Sequence, residues 1–214
     1  MIIGISGKLG SGKDTVAKII QDIDPTIGWE IKKYADKLKQ IASILTGIPR
    51  EKFEDQNFKL TNLPEEWNNA TYEYNNNGDA ELVVKPMTVR EFLQKLGTDA
   101  MRFGLHKDVW VNGLMVDYIP KILYGKGTEF DPFEYKYSNW IITDVRFPNE
   151  ALAILRKSGH LIRVIRPGFE DTGTHESETA LDNYEFDNVI VNDGNLTDLI
   201  EKVREVYENI KSFA

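Results

Sequence analysis

The sequence predicts an α/β protein, a parallel sheet covered by helices on both faces. Three observations carry this expectation. The apolar run Ile2-Ile3-Gly4-Ile5 leads through a glycine-rich loop, Gly7 to Gly12, into a helical pattern. Later apolar runs, Trp140-Ile141-Ile142-Thr143, Leu161 to Ile165 and Val189-Ile190-Val191, alternate with helical segments. The last segment sets Leu196, Leu199, Ile200, Val203, Val206, Tyr207 and Ile210 on one stripe, an amphipathic helix. Strands that alternate with helices build a parallel sheet buried on both faces, which is why each strand reads as a nearly continuous hydrophobic run.

The elements follow in order. After the glycine loop, Val16, Ile19, Ile20 and Ile23 fall at helical spacing, and Pro25 closes that helix. A second strand is read around Glu30 to Tyr34, then a helix over 36–46 with Leu38, Ile41, Ala42 and Leu45 on one face. Residues 47–86 are polar and irregular except for a hairpin, in which Thr71-Tyr72-Glu73-Tyr74 and Leu82-Val83-Val84 flank Asn75-Asn76-Asn77-Gly78-Asp79. Thr88 to Glu91 fits a capping box, and the helix it opens is expected to end at Gly97. Phe92, Leu93 and Leu96 should pack inward, while Arg90 and Gln94 share another face. A helix is expected over 108–123 and a loop over 125–138. Asp144 ends the Trp140 run, and the next helix has Pro148 near its start and Gly159 past its end. Arg166-Pro167-Gly168 closes the Leu161 strand, and Asn192-Asp193-Gly194 follows the last one.

Composition narrows the functional classes. The 214 residues suit one α/β core carrying an insertion, and the absence of cysteine excludes disulfides and thiolate metal sites. No signal peptide and no apolar run of about 20 residues is present, so a cytoplasmic protein without membrane association is expected. A net charge of −8 argues against stable nucleic-acid binding. It leaves room for a small anionic ligand held by a local cluster of Arg and Lys. Oligomeric state is left open, a homodimer included.

The glycine loop carries the chemistry. Gly7, Gly12 and Lys13 match the phosphate-loop spacing, with Asp14 where Ser or Thr is expected and Thr15 one place later. Glycines let backbone N–H groups converge on phosphates, the helix N-terminus adds its positive end, and Lys13 would reach the β- and γ-phosphates. Gly7, Lys8, Gly10, Ser11, Gly12, Lys13, Asp14 and Thr15 are therefore the candidate ATP-phosphate residues. Asp144 occupies the strand-end position that carries a Mg²⁺-linked carboxylate in such folds, and Asp14 is a second candidate through a metal-bound water. For Asp14 a plain first-turn acid is the competing reading, and for Asp144 a cap or a pair with Arg146. GTPases are set aside, since no base-reading Asn-Lys-x-Asp follows.

The Gly-Lys-Asp-Thr at 12–15 resembles the phage-type deoxynucleoside monophosphate kinases, relatives of adenylate kinase. Further segments share the resemblance: Tyr34 to Lys39, Val89 to Asp99, Asp144-Val145-Arg146, and Val164 to Gly168 with Thr174-His175. The resemblance implies a three-layer core with a five-stranded parallel sheet (1–33 and 126–214). It also implies a mostly helical acceptor-binding insertion at 34–125 and a short lid at about 167–187. It implies transfer of the γ-phosphate of ATP to a deoxynucleoside monophosphate, with Mg²⁺, in the host cytoplasm if the chain is phage-encoded. Lys37, Thr98 and Trp110 become acceptor-site candidates, with Gly97 in the same Gln-x-Leu-Gly-Thr-Asp motif, and Asn192 and Gly194 fall where such proteins wrap the adenine.

The residues agree with that chemistry. A monophosphate acceptor is already largely dianionic near pH 7, its second pKa being about 6, so it needs Arg, Lys and Mg²⁺ rather than a base. Arg90 with Gln94 would hold the acceptor; Arg146 and Arg166, just past strand ends, would serve the transferred phosphate with Lys13. Arg163, inside a strand, ranks lower. Trp110 as a buried core residue stays open, as do surface salt bridges for the arginines. So do two alternatives to the activity: another small-molecule kinase of this fold, acting on dephospho-coenzyme A or phosphomevalonate, and a non-catalytic nucleotide-binding module.

Overall fold

The computed structural model describes residues 1–123, 134–168 and 175–212. β1 (Ile2–Ser6), α1 (Lys13–Ile23), β2 (Trp29–Lys32) and α2 (Ala35–Thr46) come first, followed by short 3₁₀ turns between Arg50 and Trp67. The hairpin β3 (Asn69–Tyr74) and β4 (Ala80–Lys85) leads to α3 (Val89–Gln94), which continues as a π-helix, Lys95–Phe103. Then come α4 (Val109–Met115), β5 (Lys121–Leu123), β6 (Glu134–Lys136), β7 (Asn139–Ile142), α5 (Pro148–Leu155), β8 (His160–Ile165), α6 (Glu176–Thr179), β9 (Asn188–Val191) and α7 (Leu196–Ser212).

Two compact units emerge, Met1–Tyr34 with Trp110–Ala214, and Ala35–Val109. The first holds a five-stranded sheet in the order β2-β7-β1-β8-β9, parallel throughout. β1 lies at its centre because every one of its five residues is buried. On one face, Ile3, Ile5, Ile162, Val164 and Ile190 pack against Val16, Ile20, Leu199, Val203 and Tyr207 of α1 and α7. On the other face a side chain at Gly4 would collide with Ile154 of α5, so glycine lets that helix close down on the sheet. The expected stripe of α7 holds except at Leu196, which is 59% exposed in the first turn.

The second unit has its own core. Ala42, Phe53, Leu63, Met87, Val89 and Phe92 are buried together, with Trp67 edge-on to Phe92 at 4.9 Å. The stretch read as irregular therefore supplies two of these six core residues, Phe53 and Leu63, without any periodic pattern. In α2, Leu45 is 51% exposed and Lys39 is buried instead, because Lys39 turns toward Glu54 at 2.7 Å.

Three boundary expectations are corrected. The helix opened by Thr88, whose hydroxyl accepts from Glu91 N at 3.1 Å, runs past Gly97 to Phe103. Its last turns widen, with Gly104 N donating to Asp99 O at 3.0 Å. Gly97 is a packing glycine: a Cβ there would lie 2.9 Å from Leu38 Cδ2. The helix over 108–123 stops at Met115 and could not in any case pass Pro120, and part of the expected loop is strand, β5 pairing with β6. Past α5 the left-handed residue is Ser158 (φ 54), while Gly159 is required by close approach, a Cβ falling 2.7 Å from Ile2 O. Residues 169–174 of the expected lid, Thr174 among them, lie outside the described residues.

Candidate active site

The loop between β1 and α1 owes its shape to three glycines. Gly10 (φ 75) and Gly12 (φ 103) take left-handed backbone. A Cβ on Gly7 would lie 2.5 Å from the Val164 carbonyl and 2.6 Å from Ser11 Oγ. Ser11 N donates to Lys8 O at 3.2 Å, closing the turn, and Asn192 Nδ2 donates to Ser11 O at 2.9 Å, bracing it from β9. No side chain caps α1, so its first-turn N–H groups, Thr15 among them, stand at the open end of the loop. Ser11 Oγ is buried with no hydrogen-bond partner. We expect Gly12→Ala to cost about 1–3 kcal/mol from left-handed strain, since its Cβ would also lie 2.8 Å from Asn192 Nδ2. Thermal denaturation checks this, and a loss below about 0.5 kcal/mol would contradict the loop's dependence on that backbone.

Charged groups converge on Lys13. Its Nζ donates to Gly7 O and Lys8 O, each at 2.7 Å, so the ammonium lies back along the loop. Burial and the nearby Arg146 guanidinium lower its pKa to about 8, against the pull of Glu178, Asp14 and Asp144. Asp14 is exposed and pairs with Lys33 at 3.3 Å. Desolvation by neighbouring residues pushes the Asp14 carboxyl upward, but the Lys33 and Lys13 ammonium groups outweigh it and hold it below the usual range. Asp144 sits just past β7, its Oδ1 accepting from Tyr34 N at 2.8 Å. It does not cap α5, whose N-cap is Phe147.

Arg146 is held at both ends. Its guanidinium pairs with Glu178, and its backbone N donates to Glu150 Oε2 at 2.8 Å. The same oxygen accepts from Phe147 N at 3.1 Å. Glu150 is only 3% exposed, and the sequence reading missed it. The signal was present, a glutamate three residues after the helix N-cap.

Beside the loop opens a cleft of about 620 Å³, lined by Lys8, Ser11, Arg163, Ile165, Arg166, Pro167, Tyr184, Phe186 and Val189 among others. Arg166 Nη1 donates to Gly10 O at 3.4 Å, and Arg163 Nη1 donates to Ser6 Oγ at 2.9 Å. Arg163, ranked low from its place within a strand, thus belongs to the site region. Gly194 is explained by capping: Asn195 Oδ1 accepts from Thr197 N at 2.7 Å, and any Cβ on Gly194 would run into Asp198.

The second unit holds the other candidates. Lys37 and Gln94 are half-buried, and Thr98 and Gly97 are buried on the π-helix. Arg90 Nε is buried with no hydrogen-bond partner. The sequence reading missed a neighbouring ionic chain in which Arg50 reaches Asp36 at 2.6 Å and Glu54 at 3.4 Å, and Glu54 reaches Lys39. Trp110 lies in the first unit, 7% exposed on α4, as a core residue does.

A protein of Acanthamoeba polyphaga mimivirus is 26% identical over 98% of this chain and 97% of its own length. The deoxynucleoside-5'-monophosphate kinase of Escherichia phage T5 is 27% identical over 75% of this chain and 74% of its own. The deoxynucleotide monophosphate kinase of Enterobacteria phage T4 is 32% identical over 55% of this chain, a match spanning 44% of the phage protein. The family model for deoxynucleotide monophosphate kinase matches residues 34–203. The chain belongs to the deoxynucleotide monophosphate kinase family, a family of phosphotransferases.

Proposed function

We propose that the protein transfers the γ-phosphate of ATP to a deoxynucleoside monophosphate, in line and with Mg²⁺. The observation that carries this reading is that Arg146, Asp14 and Asp144 all lie near enough to Lys13 of the phosphate loop to act on its charge. Lys13 is the mobile cation: it rests on two loop carbonyls and swings to the β- and γ-oxygens when these arrive. Arg146 and Arg166 take the charge that spreads over the transferred phosphoryl, and the loop N–H groups hold the donor phosphates. Asn192 and Gly194 stand on the donor side, beside the adenine.

The carboxylates fit a magnesium ion. Among the described residues no three acidic or histidine side chains gather into a metal cage. Mg²⁺ in such sites keeps several waters and takes one or two carboxylates together with substrate phosphates, as Asp144 and Asp14 would supply. When bound, the ion neutralises charge on the phosphates. The acceptor oxygen, already anionic, needs no general base.

Residues 35–109 are the acceptor unit in this reading, with Lys37, Arg90, Gln94, Gly97 and Thr98 as its ligands. The unpartnered Arg90 Nε supports this assignment, because a buried N–H without an acceptor is costly unless a ligand meets it. Release of ADP coupled to a range of deoxynucleoside monophosphates, dephospho-coenzyme A and phosphomevalonate tests the activity. Turnover with none of the deoxynucleotides would overturn it. Arg90→Ala is expected to raise the acceptor KM about 10- to 100-fold with the ATP KM unchanged, the cost of a charge-assisted hydrogen bond.

A further inference from the structure

Three cations from three separate elements are held by one acidic turn. The Glu178 carboxylate pairs with Arg146 of the β7–α5 connection, and only 15% of the glutamate side chain is exposed. Lys8 of the phosphate loop donates to the Glu178 carbonyl at 2.5 Å and lies 2.6 Å from Asp182 Oδ1. Arg163 of β8 reaches that same oxygen at 3.4 Å. The acidic groups are thus spent on cations that face the nucleotide-phosphate region.

We propose that Glu178 and Asp182 stand in for nucleotide phosphates while the site is free, so that this acidic pair sets nucleotide affinity. The proposal rests on the reading of Lys8 and Arg146 as phosphate ligands. Two carboxylates and a peptide carbonyl offer the oxygen acceptors that phosphate oxygens offer, at similar distances. They relieve the repulsion among Lys8, Lys13, Arg146 and Arg163, which crowd one loop. A phosphate group carries up to two charges against one for a carboxylate, so an incoming nucleotide displaces the pair rather than being blocked by it. The displaced contacts are subtracted from the affinity, as for any ligand that must shift its receptor out of a competing state.

The test uses the whole chain and two probes, ATP and inorganic tripolyphosphate, with dissociation constants from titration calorimetry. Glu178→Gln is expected to bind both about five-fold tighter or better, with Asp182→Asn changing in the same direction by less. Glu176→Gln, an exposed acid on the same helix, removes the same charge without the contact and should stay within about two-fold of wild type. The gap between Glu178→Gln and wild type should shrink as salt rises from about 50 to 300 mM. Should both contact variants bind tripolyphosphate as wild type does, or more weakly, the proposal is wrong. Asp182→Asn decides the matter if Glu178→Gln does not fold. Tighter tripolyphosphate binding without turnover on any deoxynucleotide would sustain the stand-in role and sink the kinase reading, so the two fail separately.

Discussion

Lys13→Met is expected to lower kcat about 10²- to 10³-fold, with the acceptor KM nearly unchanged. The resting loop holds the ammonium on two of its own carbonyls, at 2.7 Å each, and a triphosphate would draw it away. Its contribution is made where charge moves in the transition state, so the loss falls on kcat. A pH signature accompanies it. In the free protein Lys13 titrates at about 8, driven down by burial and by Arg146. Beside a polyphosphate the protonated form is favoured and the pKa rises, so binding above pH 8 takes up a proton. ATP affinity should therefore be flat below about pH 8 and fall above it by up to about ten-fold per unit, while Lys13→Met shows no such fall. Calorimetry between pH 7 and 9.5 separates the two; a wild-type profile as flat as the variant's would rule out Lys13 as the phosphate ligand.

Glu150→Ala should destabilise the protein by about 2–4 kcal/mol, since two backbone N–H groups, of Arg146 and Phe147, lose their acceptor inside the protein. For a chain of this size that is a fall in Tm of about 5–15 °C. Activity should fall further than stability explains, because the peptide that carries the Arg146 guanidinium loses its anchor. Glu150→Gln keeps an oxygen able to accept from both groups, and should restore most of the Tm and of kcat. A Glu150→Ala protein that melts within about 2 °C of wild type would mean that water or a backbone shift satisfies those groups instead.

Both residues show what could be read in the chain and what could not. The first strand, the glycine loop and α1 are legible because apolar strand, turn chemistry and helical periodicity point to one local answer. Lys13 and Arg146 follow from motif and strand-end position. Glu150 is harder to read because the N-cap is Phe147, not the usual Ser, Thr, Asp or Asn, so only Pro148 and the glutamate's own spacing mark the helix start. Gly97 reads as a helix end when its true neighbour is Leu38, far away in sequence. Arg163 looks like a strand residue until its partner Ser6 is known. Lys39 is buried because Glu54 meets it, in a stretch with no period to announce either. Local pattern identifies elements, while such pairings between distant segments decide which polar residues matter.

The order of strands in the sheet has a bearing on how the chain reaches it. β1 is flanked on one edge by β7, with Ile2 beside Trp140, and on the other by β8, with Ile3 beside His160. On a ribosome, neither native neighbour exists until most of the protein has been made. Residues 35–109, by contrast, are contiguous and carry their own core, so that unit can settle early. The central strand, nearly all apolar, must wait through that time with both edges unpaired. Slow translation or depletion of chaperones should thus penalise this chain at its first five strand residues, well before any nucleotide is met.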